Sequence, residues 1–118
     1  KKAVIFGIES RIEQVIANLL DNSVSFSPLN SLITINLFED KNNYRILIAD
    51  QGPGFDENNL DKVFERFYSD RPDDQDGSHS GLGLNIVKNI IDSHKGVIKV
   101  YNKLDSEGAI VDITLPAV

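Results

Sequence analysis

Two helical apolar stripes, each followed by a pair of strand-like runs, constrain the fold of this chain more than any other feature. Ile12, Val15, Ile16, Leu19, Leu20 and Phe26 recur at helical spacing. Ser10-Arg-Ile-Glu13 ahead of them has the form of a capping box, and Pro28 ends the helix. Ser31 to Glu39 then alternates Leu32, Thr34 and Asn36 with Ile33, Ile35 and Leu37, and Asp40 to Asn43 supplies turn residues. Tyr44 to Ala49 is apolar on both faces near its end, which predicts a central strand. The second stripe is Ile86, Val87, Ile90 and Ile91 in Leu84 to His94, stopped by Gly96. Val97 to Asn102 and Ala109 to Leu115 read as strands joined by a turn from Leu104 to Gly108. Ala3 to Phe6 reads as a further short strand, and Leu60, Val63, Phe64 and Phe67 mark a short helix. Strand pairs set between helices predict an α+β layer architecture, with one mixed sheet and its helices on one face.

The 118 residues suit one domain with a real core, and 41% hydrophobic residues exclude compositional disorder. A net charge of −6 argues against a nucleic-acid backbone or an anionic membrane as the main partner. Any phosphate must therefore be held locally, by backbone N–H groups, a metal and a few cations. The absence of cysteine excludes disulfides, thiolate chemistry and cysteine-based metal sites. No apolar run approaches the roughly 20 residues of a membrane span, and no signal peptide is visible. A chain that begins at Lys1 and enters an apolar stretch at once reads as a piece of a longer protein, or a processed one.

Four segments carry candidate chemistry. Gln14, Asn18 and Asn22 share one stripe of the first helix, beside its apolar face. Amide oxygens there can bind a hard cation such as Mg²⁺, or simply form a polar helix face. Asp50 follows a strand and precedes Gly52 and Gly54. A half-buried carboxylate at that point can accept from an exocyclic amino group such as adenine N6, and it would repel phosphate. The glycines allow positive φ and close approach of the backbone to a flat ring; the plainer reading is a Gly-Pro turn. Phe64, Phe67 and Tyr68 frame a loop, Ser69 to Ser80, that has no apolar residue. Phe64 and Phe67 suit a core stripe, and Tyr68 suits a ligand contact. Ser80-Gly81-Leu82-Gly83-Leu84 enters a helix N-terminus, where free N–H groups attract phosphate. It is neither a P-loop nor a dinucleotide-binding turn, and a glycine hinge is the alternative. His79 and His94 lack an acid and nucleophile nearby and read as non-catalytic.

Assembled in order, these segments resemble the N box, first glycine box, F box and second glycine box of the catalytic and ATP-binding domain of bacterial two-component sensor histidine kinases. That domain belongs to the wider superfamily that includes gyrase. The resemblance runs from Glu9 to Pro116. It implies a two-layer α/β sandwich with a mixed, mainly antiparallel sheet, the Bergerat ATP-binding fold, as a single domain over residues 1–118 with a lid at about 69–81. It implies ATP and Mg²⁺ as cofactors. Asn22 would be the chief Mg²⁺ ligand, with Asn18 beside it on metal and phosphates. Asp50 would receive the adenine amino group, with Gly52 and Gly54 shaping the pocket. Phe64 and Phe67 would anchor the base of the lid. Gly81 and Gly83 would offer N–H groups to the phosphates, and Phe26, Tyr68, Ser80, Leu82 and Leu84 complete the expected nucleotide contacts. The family's lysine after the second asparagine is replaced by Ser25 and Phe26, and Arg71 is the expected substitute for the missing charge.

The family phosphorylates a histidine in a separate helical dimerisation domain, which passes the phosphoryl group to a response-regulator aspartate. Neither His79 nor His94 stands in the acceptor motif, so the dimerisation and phosphoacceptor domain is expected outside this chain. The isolated domain is then expected to be monomeric, to bind ATP and to turn it over slowly. Full-length members place this domain in the cytoplasm and are commonly inner-membrane proteins. The rival functions are a serine kinase of the anti-sigma type and a non-catalytic nucleotide sensor.

Overall fold

The computed structural model describes residues 4–65 and 83–117. Its elements are helix α1 (Glu9–Phe26), strands β1 (Thr34–Asp40) and β2 (Asn43–Ala49), a 3₁₀ turn (Glu57–Lys62), helix α2 (Gly83–Ser93), and strands β3 (Val97–Asn102) and β4 (Ala109–Pro116). The four strands form one sheet in the order β1-β2-β4-β3. All three ladders are antiparallel. The parallel pairing of a mixed sheet is therefore not found among the described residues. Residues 4–6, expected as a strand, join no ladder. Ile5 instead packs its side chain against the core.

Both helices lie on one sheet face, and alternation along the strands decides what they cover. Ile48 of β2, Ile98 of β3, and Val111, Ile113 and Leu115 of β4 point inward, against Val15 and Leu19 of α1 and Val87, Ile90 and Ile91 of α2. Each such side chain contributes about 1.5–3 kcal/mol when fully removed from water. β2 is central, as its two apolar faces predict, whereas β1 is an edge strand with no buried residue. Ile35 and Leu37 share the helix-side face yet remain 50% and 58% exposed.

The opposite face is mixed and carries a polar cluster around Asp112. Register places Lys99 beside Asp112 and Leu47 on its other side. Asp112 is only 7% exposed. It accepts from Arg45 Nε at 3.3 Å and from the Tyr101 hydroxyl at 3.1 Å. Burial, with the Asp112 carboxylate next in weight, holds the Tyr101 phenol above its ordinary pKa.

Both helix ends differ from the sequence expectation. The capping box does not form: the N-cap is Ile8, without a side-chain cap, so Ser10 already lies inside the helix. His94 from the end of α2 reaches across instead. Its Nε2 accepts from the Ile8 N–H at 3.0 Å, and its Nδ1 lies 2.8 Å from the Ile90 carbonyl oxygen. With Nε2 accepting, Nδ1 is the ring nitrogen that faces the Ile90 carbonyl as donor. The stop of α2 is a Schellman motif: Lys95, not Gly96, takes the left-handed φ of 62°. Gly96 N–H donates to Ile91 O at 2.9 Å, and Lys95 N–H to Asp92 O at 3.1 Å. Gly96 is needed for space, since a Cβ there would lie 2.6 Å from Thr114 O.

Candidate functional site

The end of β2 delivers Asp50 to a point where three segments meet. Its own N–H donates to Ala109 O at 3.0 Å, which continues the β2–β4 pairing by one residue. The residue is 7% exposed. One carboxylate oxygen, Oδ1, accepts two backbone bonds, from Gly52 N–H at 2.9 Å and Ala109 N–H at 3.0 Å. Among the described residues nothing bonds Oδ2. Asp50 is thus a fixed carboxylate with one oxygen committed to the fold and one acceptor free. That suits an amino group and would repel a phosphate.

The two glycines after Asp50 are required by close packing. A Cβ on Gly52 would lie 2.5 Å from the carbonyl oxygen of Phe26, so the loop rests directly on the last turn of α1. Gly54 has φ +83°, and a Cβ there would lie 2.6 Å from Asn102 Oδ1. The loop is also tied toward β1, where Gln51 Oε1 accepts from Leu32 N–H at 2.9 Å. The β3–β4 turn forms its back wall: Gly108, at φ +143°, would place a Cβ 2.1 Å from Asp50 O. Gln51, Asn102, Gly108 and Ala109 support this loop, a role that the sequence pattern does not announce for any of them. Only register and long-range amide bonds reveal them.

Helix α1 presents Gln14, Asn18, Asn22 and Phe26 on one half-buried stripe that ends at this loop. Gln14 accepts from Arg11. Asn18 and Asn22 bond to no described residue, so their amides are unspent on a half-buried face. No group of three or more His, Cys, Asp and Glu side chains that could hold a metal ion occurs among the described residues. A cation here would rest on amide oxygens and on the ligand's own oxygens, since Mg²⁺ beside phosphates keeps its waters and needs few protein ligands.

The N-terminus of α2 carries the remaining candidates among the described residues. Gly83 begins the helix, and a Cβ built on it would meet nothing within 4 Å. Leu84 turns back onto the core. Asn85 Nδ2 donates to Phe64 O at 2.9 Å, fastening Phe64 to the first turn of α2. Phe64 packs on the core, and Lys88 Nζ lies 5.8 Å from its ring centroid. Phe67, Tyr68, Arg71, Ser80, Gly81 and Leu82, the expected lid at about 69–81 and His79 lie outside the described residues. The structure thus brings Asn18, Asn22, Phe26, Asp50, Gly52 and Gly54 to one end of the helix–sheet layer, with Phe64, Gly83 and Leu84 on α2 and its approach.

Comparison with known proteins identifies the family. The family described as histidine kinase-, DNA gyrase B- and HSP90-like ATPases matches residues 7–118. The chain belongs to that family. It is 38% identical over 109 residues to the sensor protein ChvG of Rhizobium meliloti, covering 91% of this chain and 19% of ChvG. It is 43% identical over 108 residues to the sensor protein KdpD of Clostridium acetobutylicum, covering 91% of this chain and 12% of KdpD. Among solved structures, the mycobacterial sensor histidine kinase MprB matches with a TM-score of 0.84 at 32% identity, over 96% of this chain and 74% of that one. The catalytic domain of histidine kinase ThkA matches with a TM-score of 0.81 at 28% identity, over 95% and 70%. The expected two-layer histidine-kinase catalytic fold is therefore present. The chain spans a fifth or less of the sensor proteins ChvG and KdpD. No helix of the described residues is long and apolar enough to cross a membrane.

Proposed function

We propose that this chain binds ATP with Mg²⁺ and presents the γ-phosphoryl group to a histidine on the dimerisation domain of a longer sensor kinase, for relay to a response-regulator aspartate. The observation that carries the reading is Asp50: a buried carboxylate pinned through Oδ1 with Oδ2 left to accept. An adenine amino group matches that acceptor. Asn22, with Asn18 one turn earlier, would hold the cation, and Phe26 would border the base. The N–H groups of Gly81 and Gly83 would meet the phosphates, with Ser80, Leu82 and Leu84 shaping the approach. Phe64 and Phe67 would anchor the lid at about 69–81, with Tyr68 against the nucleotide and Arg71 as a phosphate cation. Mg²⁺ when bound neutralises developing phosphate charge; the chain's own work is to orient the triphosphate and exclude water. By family resemblance the domain sits in the cytoplasm, in a protein anchored in the bacterial inner membrane.

The test is phosphoryl transfer. The chain is mixed with a purified histidine-bearing helical domain, labelled ATP and Mg²⁺. Acid-labile label on histidine supports the proposal. Acid-stable label on a serine points to the anti-sigma type of kinase, and nucleotide binding without label points to a sensor that only binds.

A further inference from the structure

The loop that carries Asp50 is held at its near end by Ala109 and at its far end by one side chain, Asn102, the last residue of β3. Asn102 Oδ1 accepts from Phe55 N–H at 2.7 Å, and Nδ2 donates to Phe55 O at 2.9 Å. This is the double pairing that a residue on a neighbouring strand would offer. Nδ2 also lies 3.4 Å from Glu57 Oε1. Such support matters because the loop is poor in bonds of its own. Pro53 has no N–H, and Gly54 sits at φ +83°. Gly54 is also the place where the carboxamide enters, 2.6 Å from where a Cβ would be. A carboxamide sets a donor group and an acceptor side by side in a fixed plane, which a carboxylate cannot match.

We infer that Asn102 is a positioning residue for purine recognition: it fixes the Asp50–Phe55 loop at the height at which the Asp50 carboxylate meets the base. The inference rests on the reading of Asp50 as the adenine acceptor. Asn102 bonds the backbone of the loop that carries Asp50, so its loss acts on the base end of the ligand. The α1 amides and the α2 N-terminus keep the phosphate end.

The experiment measures equilibrium binding of ATP and of GTP, each with Mg²⁺, to the full chain, to Asn102→Ala and to Asn102→Asp, with a nucleotide-free thermal melt of each. Asn102→Asp keeps the size and the acceptor and loses the donor, so it reports even where the alanine variant folds poorly. The expected result is roughly tenfold weaker ATP binding in both variants, as loss of one modest hydrogen bond in Asn102→Asp and two in Asn102→Ala implies to within a few-fold. The preference for ATP over GTP should fall alongside, because the base contact is what loosens. A lower melting temperature with unchanged ATP affinity and an unchanged ATP-to-GTP ratio would show a purely structural residue and overturn the inference. Absence of binding by the parent chain would remove the reading of Asp50 itself, and the inference with it.

Discussion

Replacing Asp50 by asparagine should separate folding from binding, because the two carboxylate oxygens have different work. Oδ1 holds two backbone N–H groups at 2.9 and 3.0 Å, and an asparagine amide oxygen can take that place. The loss is the charge assistance of those bonds, about 1 kcal/mol each, so a stability cost of about 1–2 kcal/mol is expected. At the Oδ2 position the variant puts an NH₂ group. It would face the exocyclic amino group of adenine, donor against donor. Losing a hydrogen bond to a charged acceptor costs about 1.5–3 kcal/mol, and the unsatisfied donor adds about 1 more. Affinity for ATP should therefore fall on the order of a hundredfold. Urea unfolding of the nucleotide-free protein measures the first quantity, and titration with a fluorescent adenine nucleotide measures the second. Asp50→Ala is the contrast, since it strands the buried N–H groups of Gly52 and Ala109 and should cost about 2–6 kcal/mol of stability. An Asp50→Asn protein that binds ATP within a few-fold of the parent would refute the assignment of Oδ2. One that unfolds as badly as the alanine variant would refute the division of labour between the oxygens.

Gly52→Ala forces a methyl against the Phe26 carbonyl at 2.5 Å, so α1 and the loop must part. A loss of about 1–3 kcal/mol in denaturant unfolding is expected, together with weaker nucleotide binding. His94→Ala removes the bond to the Ile8 N–H, and amide exchange at the start of α1 should quicken, with a loss of about 1 kcal/mol. Tyr101 titrates above its ordinary pKa of 10.0. Its contribution to stability is thus complete below pH 10 and fades as pH rises through the higher folded value. Tyr101→Phe should flatten that alkaline decline in a series of urea melts. Arg71→Ala should weaken ATP binding and slow phosphorylation of the histidine domain; unchanged values in both assays would remove Arg71 from the phosphate site.

Much of the fold was legible because hydrophobic periodicity is local. The stripes of α1 and α2 and the alternation in four strands sit in the sequence as they sit in the molecule. The dyad of glycines after Asp50 was legible too, but its cause was not. Gly52 answers to the end of α1 and Gly54 to Asn102, which lie 26 and 48 positions away in the chain. Capping failed for the same reason. Ser10 and Glu13 had the right local spacing, yet His94 from the other helix reaches the Ile8 N–H and moves the helix start. Asp112 shows the limit on the sheet's other face: nothing adjacent in sequence announces Arg45 and Tyr101, which only register brings beside it. Exposure of Ile35 and Leu37 was equally hidden, since alternation marks a face and not what covers it.

Calorimetric titration of the folded chain with ATP at excess Mg²⁺ tests the central claim most directly. Saturable heat at one nucleotide per chain is expected, with comparable binding of ADP through the same base contact. Well-folded protein that gives no heat with either nucleotide at millimolar concentration would contradict it.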